Sequence, residues 1–132
     1  RVVGAFTVQA NNIMQIDKVI DYFINKLGIV FYSHRVNYPM ALSAQVLPPE
    51  LKKQVVERLE QMKTEVLDYP LVQQHKLLET VTLQQIQDNI NFLEAKCMYD
   101  THWKDCVEFN RRLDATRGQD FLATNPEFAE YV

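Results

Sequence analysis

The sequence predicts an α/β fold that becomes mostly α: one parallel βαβ unit, read as a partial-barrel remnant, followed by a helical C-terminal region. Three observations carry this expectation. Val2 to Gln9 mixes β-branched and aromatic residues, as strands do. Ile29 to Val36 opens with the unbroken apolar run Ile29-Val30-Phe31-Tyr32, the pattern of a parallel strand covered on both faces. Beyond Pro39 no strand pattern recurs, and apolar residues return at helical spacing. Two strands joined by a helix pair in parallel through a right-handed crossover. Such a pair needs neighbouring strands, so the expectation is that they come from a larger protein of which this is the C-terminal end. The 132 residues read as a single domain, with 1–47 as the βαβ remnant and 48–132 as a helical sub-domain.

Each element has its own signal. Ala10-Asn11-Asn12 breaks the first strand, and Asn12 with Gln15 three places on reads as a capping box. Ile16, Val19, Ile20, Phe23, Ile24 and Leu27 form one apolar helical face, and Gly28 stands where a C-terminal glycine belongs. Asn37-Tyr38-Pro39 ends the second strand, and Met40 to Leu47 reads as a loop with a short helical turn. Pro48-Pro49-Glu50 starts a helix whose stripe is Leu51, Val55, Leu59, Met62 and Val66. Lys53 with Glu57 and Glu60 with Lys63 are spaced to pair on its wet face. Asp68-Tyr69-Pro70 breaks that helix, and Leu71 to Leu78 reads as a short one. Thr82 is expected to cap the next, with the stripe Leu83, Ile86, Ile90 and Leu93. Asp100 or Thr101 is expected to cap a helix carrying Trp103, Cys106, Val107, Phe109 and Leu113, closed by Gly118. A last turn begins at Asn125-Pro126-Glu127.

Composition narrows the function classes. A net charge of −3 argues against broad attraction to nucleic acid, and no apolar run approaches the roughly 20 residues of a membrane helix. No partner membrane is therefore expected. No basic segment leading into an apolar one marks a secretory signal. The two cysteines, Cys97 and Cys106, make no disulfide framework and read as reduced thiols in a cytoplasmic protein.

Two stretches carry a family resemblance. Leu42-Ser43-Ala44-Gln45-Val46-Leu47-Pro48-Pro49-Glu50-Leu51-Lys52 resembles a segment of the twitch-type radical S-adenosylmethionine (radical SAM) proteins of phage and marine bacteria. Leu113-Asp114-Ala115-Thr116-Arg117-Gly118-Gln119-Asp120-Phe121, followed by Asn125-Pro126-Glu127-Phe128, resembles the closing pattern of that group. Val8-Gln9-Ala10-Asn11 and Asn37-Tyr38-Pro39 fit the last strand ends of its partial barrel. The resemblance implies a parent that reductively cleaves S-adenosylmethionine on a [4Fe–4S] cluster to begin a radical modification. This chain lacks the Cys-x3-Cys-x2-Cys motif that holds such a cluster. The implied reading is a C-terminal segment with no cofactor of its own and no catalytic competence alone.

Ligands of α/β folds sit beyond the carboxyl ends of the strands. That edge carries Gln9, Asn11, Asn12, His34, Arg35, Asn37 and Tyr38. By the resemblance, Asn11 and Asn37 are the candidate S-adenosylmethionine contacts. The plainer reading gives Asn12 a capping role, Asn37 a turn and His34 to solvent. Cys97, His102, Cys106 and His75 can be drawn as a zinc site, but their spacing matches no common zinc motif and a buried cysteine packs as a small hydrophobe more often. Arg111, Arg112 and Arg117 have Glu108 and Asp114 at helical spacing to neutralise them. The strands lack the exposed aromatics and basic neighbours of an RNA-binding sheet. The rival reading is an independent helical interaction module that forms a homodimer through its strand edges.

Overall fold

The computed structural model describes residues 2–132. It is mostly helical, with a two-stranded parallel sheet at the front. Strand β1 (Gly4–Val8) leads through a 3-10 turn at Ile13–Gln15 into helix α1 (Ile16–Ile20), which continues as a π-helical turn over Asp21–Leu27. Strand β2 (Phe31–Arg35) then returns parallel to β1, with Gly4 opposite Phe31 and Val8 opposite Arg35. Helices α2 (Pro49–Glu65), α3 (Pro70–Gln74), α4 (Lys76–Ala95), α5 (Tyr99–Arg117) and α6 (Phe121–Thr124) follow, and a 3-10 turn at Pro126–Tyr131 ends the chain.

Both strands are shorter than the sequence predicts: β1 begins only after the exposed Val2 and Val3, and β2 covers Phe31–Arg35 of the expected Ile29 to Val36. Gly4 is fixed by a close approach: a Cβ there would lie 2.6 Å from the Phe23 ring, which stacks on Phe31 at 5.9 Å. Only glycine lets the crossover helix lie this close to the sheet. Gly28 ends that helix at φ 63°, in the left-handed region that favours glycine.

The predicted stripe of α2 is buried throughout, and its surface pairs form at 4.0 Å for Lys53–Glu57 and 3.1 Å for Glu60–Lys63. Arg58, bonded to Asp17 at 3.1 Å and to Glu65 at 2.9 Å, ties α1 to α2. Helices α1, α2 and α4 and the inner face of the sheet share one apolar core with Trp103 and Phe128 from the rear, so the front and rear segments bury their surfaces together.

Several local expectations are corrected. Asn12 and Gln15 make no capping box. The Asn12 side chain instead accepts from the Gln9 amide and donates to the Thr7 carbonyl, while Gln15 reaches Thr124 and Asn125. Thr82 caps nothing: α4 begins at Lys76, which leaves Thr82 inside the helix, fully buried and with no partner for its hydroxyl among the described residues. The break after Gln74 falls where His75 is extended, so the helix predicted over Leu71–Leu78 divides between α3 and α4. At α5 the flanking residue is Met98, and the Thr101 hydroxyl donates to its carbonyl rather than capping an amide. Phe109 is exposed rather than part of the apolar side.

The tail is locked by long-range contacts. Trp103 donates its indole N–H to the Tyr131 carbonyl at 2.8 Å and packs edge-on against Phe128 at 5.2 Å. Asp114 accepts from the Phe121 amide at 3.0 Å. The ion pair expected between Asp114 and Arg117 is absent among the described residues, since Asp114 is turned toward α6.

Candidate functional site

The two edges of the sheet differ. Parallel ladders alternate the direction of successive amides. Gly4 donates to Val30 and Val36 donates to Val8, so the amides of Gly4, Phe6 and Val8 face β2 while those of Ala5 and Thr7 face outward. Helix α4 packs along the outward side of β2 and meets its central outward amide, that of Ser33; those of Phe31 and Arg35 meet no protein group among the described residues. The Gln85 side-chain Oε1 accepts from the Ser33 amide at 2.9 Å and from the Ser33 hydroxyl at 2.7 Å. Asn89 donates to the same hydroxyl at 2.9 Å. A side-chain amide thus stands where another strand's carbonyl would be. On the outward edge of β1 the Asn12 side chain takes up the Thr7 carbonyl, and no protein group meets the outward amides of Ala5 and Thr7 among the described residues.

The faces differ too. Gly4, Val8 and Phe31 turn inward and are buried, whereas Ala5, Thr7, Tyr32 and His34 alternate to the other side and are exposed. Tyr32 is 49% exposed in the middle of that bare face. Val2 and Val3 extend the exposed apolar surface at the amino end of β1.

Beyond the carboxyl end of β1 lies a polar cleft of about 350 Å³, walled by Asn11, Asn110, Asp114, Gln119, Asp120 and Asn125 among others. Three asparagines hold it together. Asn11 donates to Asn110 at 2.6 Å, and Asn125 donates to the Asn11 backbone carbonyl at 3.0 Å. Asn110 and Asn125 are buried and fully engaged, Asn110 also donating to the Cys106 carbonyl at 2.9 Å. They anchor α5 and the tail to the loop after β1. Asn11 lines the cleft, and its side-chain oxygen accepts no hydrogen bond among the described residues.

Asn37 lies elsewhere. It is exposed after β2 and is not part of the cleft that Asn11 lines. Asn11 and Asn37 are therefore not brought into one pocket. His34 stands on the bare sheet face, and Arg35 donates to the Ser33 hydroxyl at 3.2 Å. Two of the arginines of α5 are matched locally: Glu108 bonds Arg112 at 2.9 Å and lies 3.8 Å from Arg111.

Cys97 is exposed between α4 and α5, and Cys106 is buried in α5, where burial pushes its thiol up to about 11. No group of three metal-ligating side chains gathers among the described residues. Two cysteines so placed do not fit a [4Fe–4S] cluster, which takes at least three thiolates. No helix among the described residues is long and apolar enough to cross a membrane. Comparison with protein-family models, with curated proteins and with solved structures found no match.

Sequence reasoning missed Gln85, Asn110 and Asn125, whose partners lie far away in the chain. It also missed Lys52, for which a signal existed. Positions 52, 55, 59, 62 and 66 recur at helical spacing, so Lys52 stands on the same stripe as the apolar residues of α2.

Proposed function

We propose that this chain is the closing βαβ unit and helical cap of a larger parallel α/β protein of the radical SAM type, with β2 as the last strand and β1 paired to strands from outside these 132 residues. One observation carries the reading: α4 packs along β2 and Gln85 meets its outward Ser33 amide, while the outward amides of Ala5 and Thr7 on β1 have no partner among the described residues. A terminal strand has no further neighbour to meet, and an internal strand must keep its second edge open. The bare face carrying Thr7, Tyr32 and His34 is then the lumen side of the barrel, and helices cover the opposite side, as in barrels with outer helices. The polar cleft at Asn11 lies at the carboxyl end, where parallel sheets bind ligands. The resemblance in Leu42–Lys52 and Leu113–Phe128 supports the same class. In this role the segment completes the barrel wall and offers Asn11 to a ligand, and Asn37 contributes at the second strand end. The cluster chemistry belongs to the rest of the protein, and a cytoplasmic location suits the two unpaired thiols.

Two measurements test the reading. The coding sequence immediately upstream of the Arg1 codon is expected to encode further strand–helix units with a Cys-x3-Cys-x2-Cys motif, and an in-frame stop directly before it overturns the reading. Sedimentation at micromolar concentration is expected to show a monomer whose Ala5 and Thr7 amides exchange rapidly with deuterium. The same open edge favours one second reading, an interaction module that pairs β1 with β1 of another copy. A dimer with those two amides protected establishes that reading instead.

A further inference from the structure

The largest described cavity, about 510 Å³, lies between α2 and the carboxyl end of α4, away from the sheet. Its walls are mainly apolar, from Pro49, Val56 and Leu93, and Lys52 and Cys97 also line it. Lys52 is the anomaly. The residue is only 9% exposed, yet its ammonium has no carboxylate partner among the described residues. It donates to two backbone carbonyls, Lys96 at 2.8 Å and Gln45 at 3.2 Å.

An ammonium has three N–H groups, and these bonds account for two of them. Lys96 directly follows α4, whose carbonyl end supplies about half a negative charge nearby. That compensates the cation only in part, and buried charges are normally paired. Burial accordingly pushes the Lys52 ammonium below its ordinary value. The remaining charges around the cavity are Lys53, Lys96, Glu57 and Glu94, and Lys53 is engaged with Glu57 at 4.0 Å. The wall is thus positive by one charge, concentrated at Lys52.

We infer that this cavity binds a small amphipathic monoanion, its carboxylate on the Lys52 ammonium and its hydrocarbon part along Val56, Leu93 and Pro49. The volume lies within the 300–1,000 Å³ range of small-molecule sites. An anion supplies the missing acceptor and counter-charge, and the apolar walls select an occupant with a tail over inorganic phosphate or chloride.

The test is calorimetric titration of the full chain with decanoate, with decanol and decyltrimethylammonium as matched probes. Decanoate is expected to bind at one site, at least tenfold more tightly than either probe. Lys52→Met keeps the length of the stem and removes the charge, and it is expected to weaken decanoate at least tenfold while leaving decanol unchanged. Val56→Trp fills the cavity from a half-buried wall position, and it is expected to abolish binding of decanoate even if the Lys52 variant does not fold. Absence of decanoate binding, equal binding of decanoate and decanol, or full binding by the folded Lys52→Met or Val56→Trp protein overturns the inference.

Discussion

Gln85 is the side chain on which the asymmetry of the sheet turns, and its removal has a calculable cost. In Gln85→Ala the Ser33 amide loses its 2.9 Å bond and the Ser33 hydroxyl its 2.7 Å bond. An unmet buried donor costs about 1–3 kcal/mol. Ser33 is half-buried, so water recovers part of this. The loss of one buried methylene adds about 0.8 kcal/mol. The sum is about 2 kcal/mol, or roughly 6 °C in melting temperature for a domain of this size. Urea unfolding followed by far-ultraviolet circular dichroism measures it. The neighbouring Gln84 makes a surface bond to Asp88 at 2.8 Å, and Gln84→Ala is expected to stay within about 0.5 kcal/mol of the parent. Deuterium exchange at the Ser33 amide is expected to accelerate in the first variant and not in the second. Equal stabilities for the two variants, with Ser33 exchange unchanged, would refute the claim that Gln85 holds the outward Ser33 amide of β2.

Four further outcomes follow from the structure. Thr82→Val is expected to stabilise the protein by about 1 kcal/mol in urea melts, because it removes a buried hydroxyl that has no partner; a helix cap at this position would instead cost about 1 kcal/mol when replaced. Iodoacetamide near pH ~8 is expected to modify Cys97 in the folded protein and spare Cys106, since the thiolate is the nucleophile and burial withholds it from Cys106. The unfolded thiol ionises from its ordinary 9.0 and the buried one only near 11, so the unfolded chain gives up its proton first. The stability margin of the parent over Cys106→Ala is therefore complete below pH 9 and shrinks as the pH climbs toward 11; a margin constant across that window contradicts the buried assignment. Gly28 and Gly118 share φ 63°, but a Cβ at Gly28 meets Leu71 at 2.7 Å and one at Gly118 meets nothing. Alanine is expected to cost about 1 kcal/mol at Gly118 and about 2 kcal/mol or more at Gly28, and equal losses in urea melts would show that Leu71 yields freely.

The features legible in the chain were those set by short spacing. The stripe of α2 was readable because residues three and four apart share a helical face, and all five of its members are buried. The terminal glycines Gly28 and Gly118 were readable because a left-handed residue is a local requirement. The cap assignments at Asn12 and Thr82 failed for one shared reason. Both residues have short polar side chains with several local and distant uses, and neighbours far along the chain decided among them. Asn12 was taken by the loop after β1, and Thr82 was enclosed when α4 began a turn and a half earlier, at Lys76.

The candidate site divides in the same way. Asn11 was found from its place after a strand, but the cleft around it is made by Asn110, Asp114 and Asn125, about a hundred residues later. Asn37 occupied an equivalent place after the second strand and stayed outside the cleft. Position relative to a strand end follows from the pattern of nearby residues. Convergence on one pocket depends on how α5 and the tail pack.

By itself, then, the sequence determined a parallel strand–helix–strand unit and the order and faces of the helices behind it, because backbone preference and apolar period act over a few residues. Tertiary structure alone decided which strand α4 packs along, which asparagines meet, and that one lysine is buried without a carboxylate among the described residues. Those outcomes depend on distances between groups remote in the chain, and only the packing of the whole core fixes such distances.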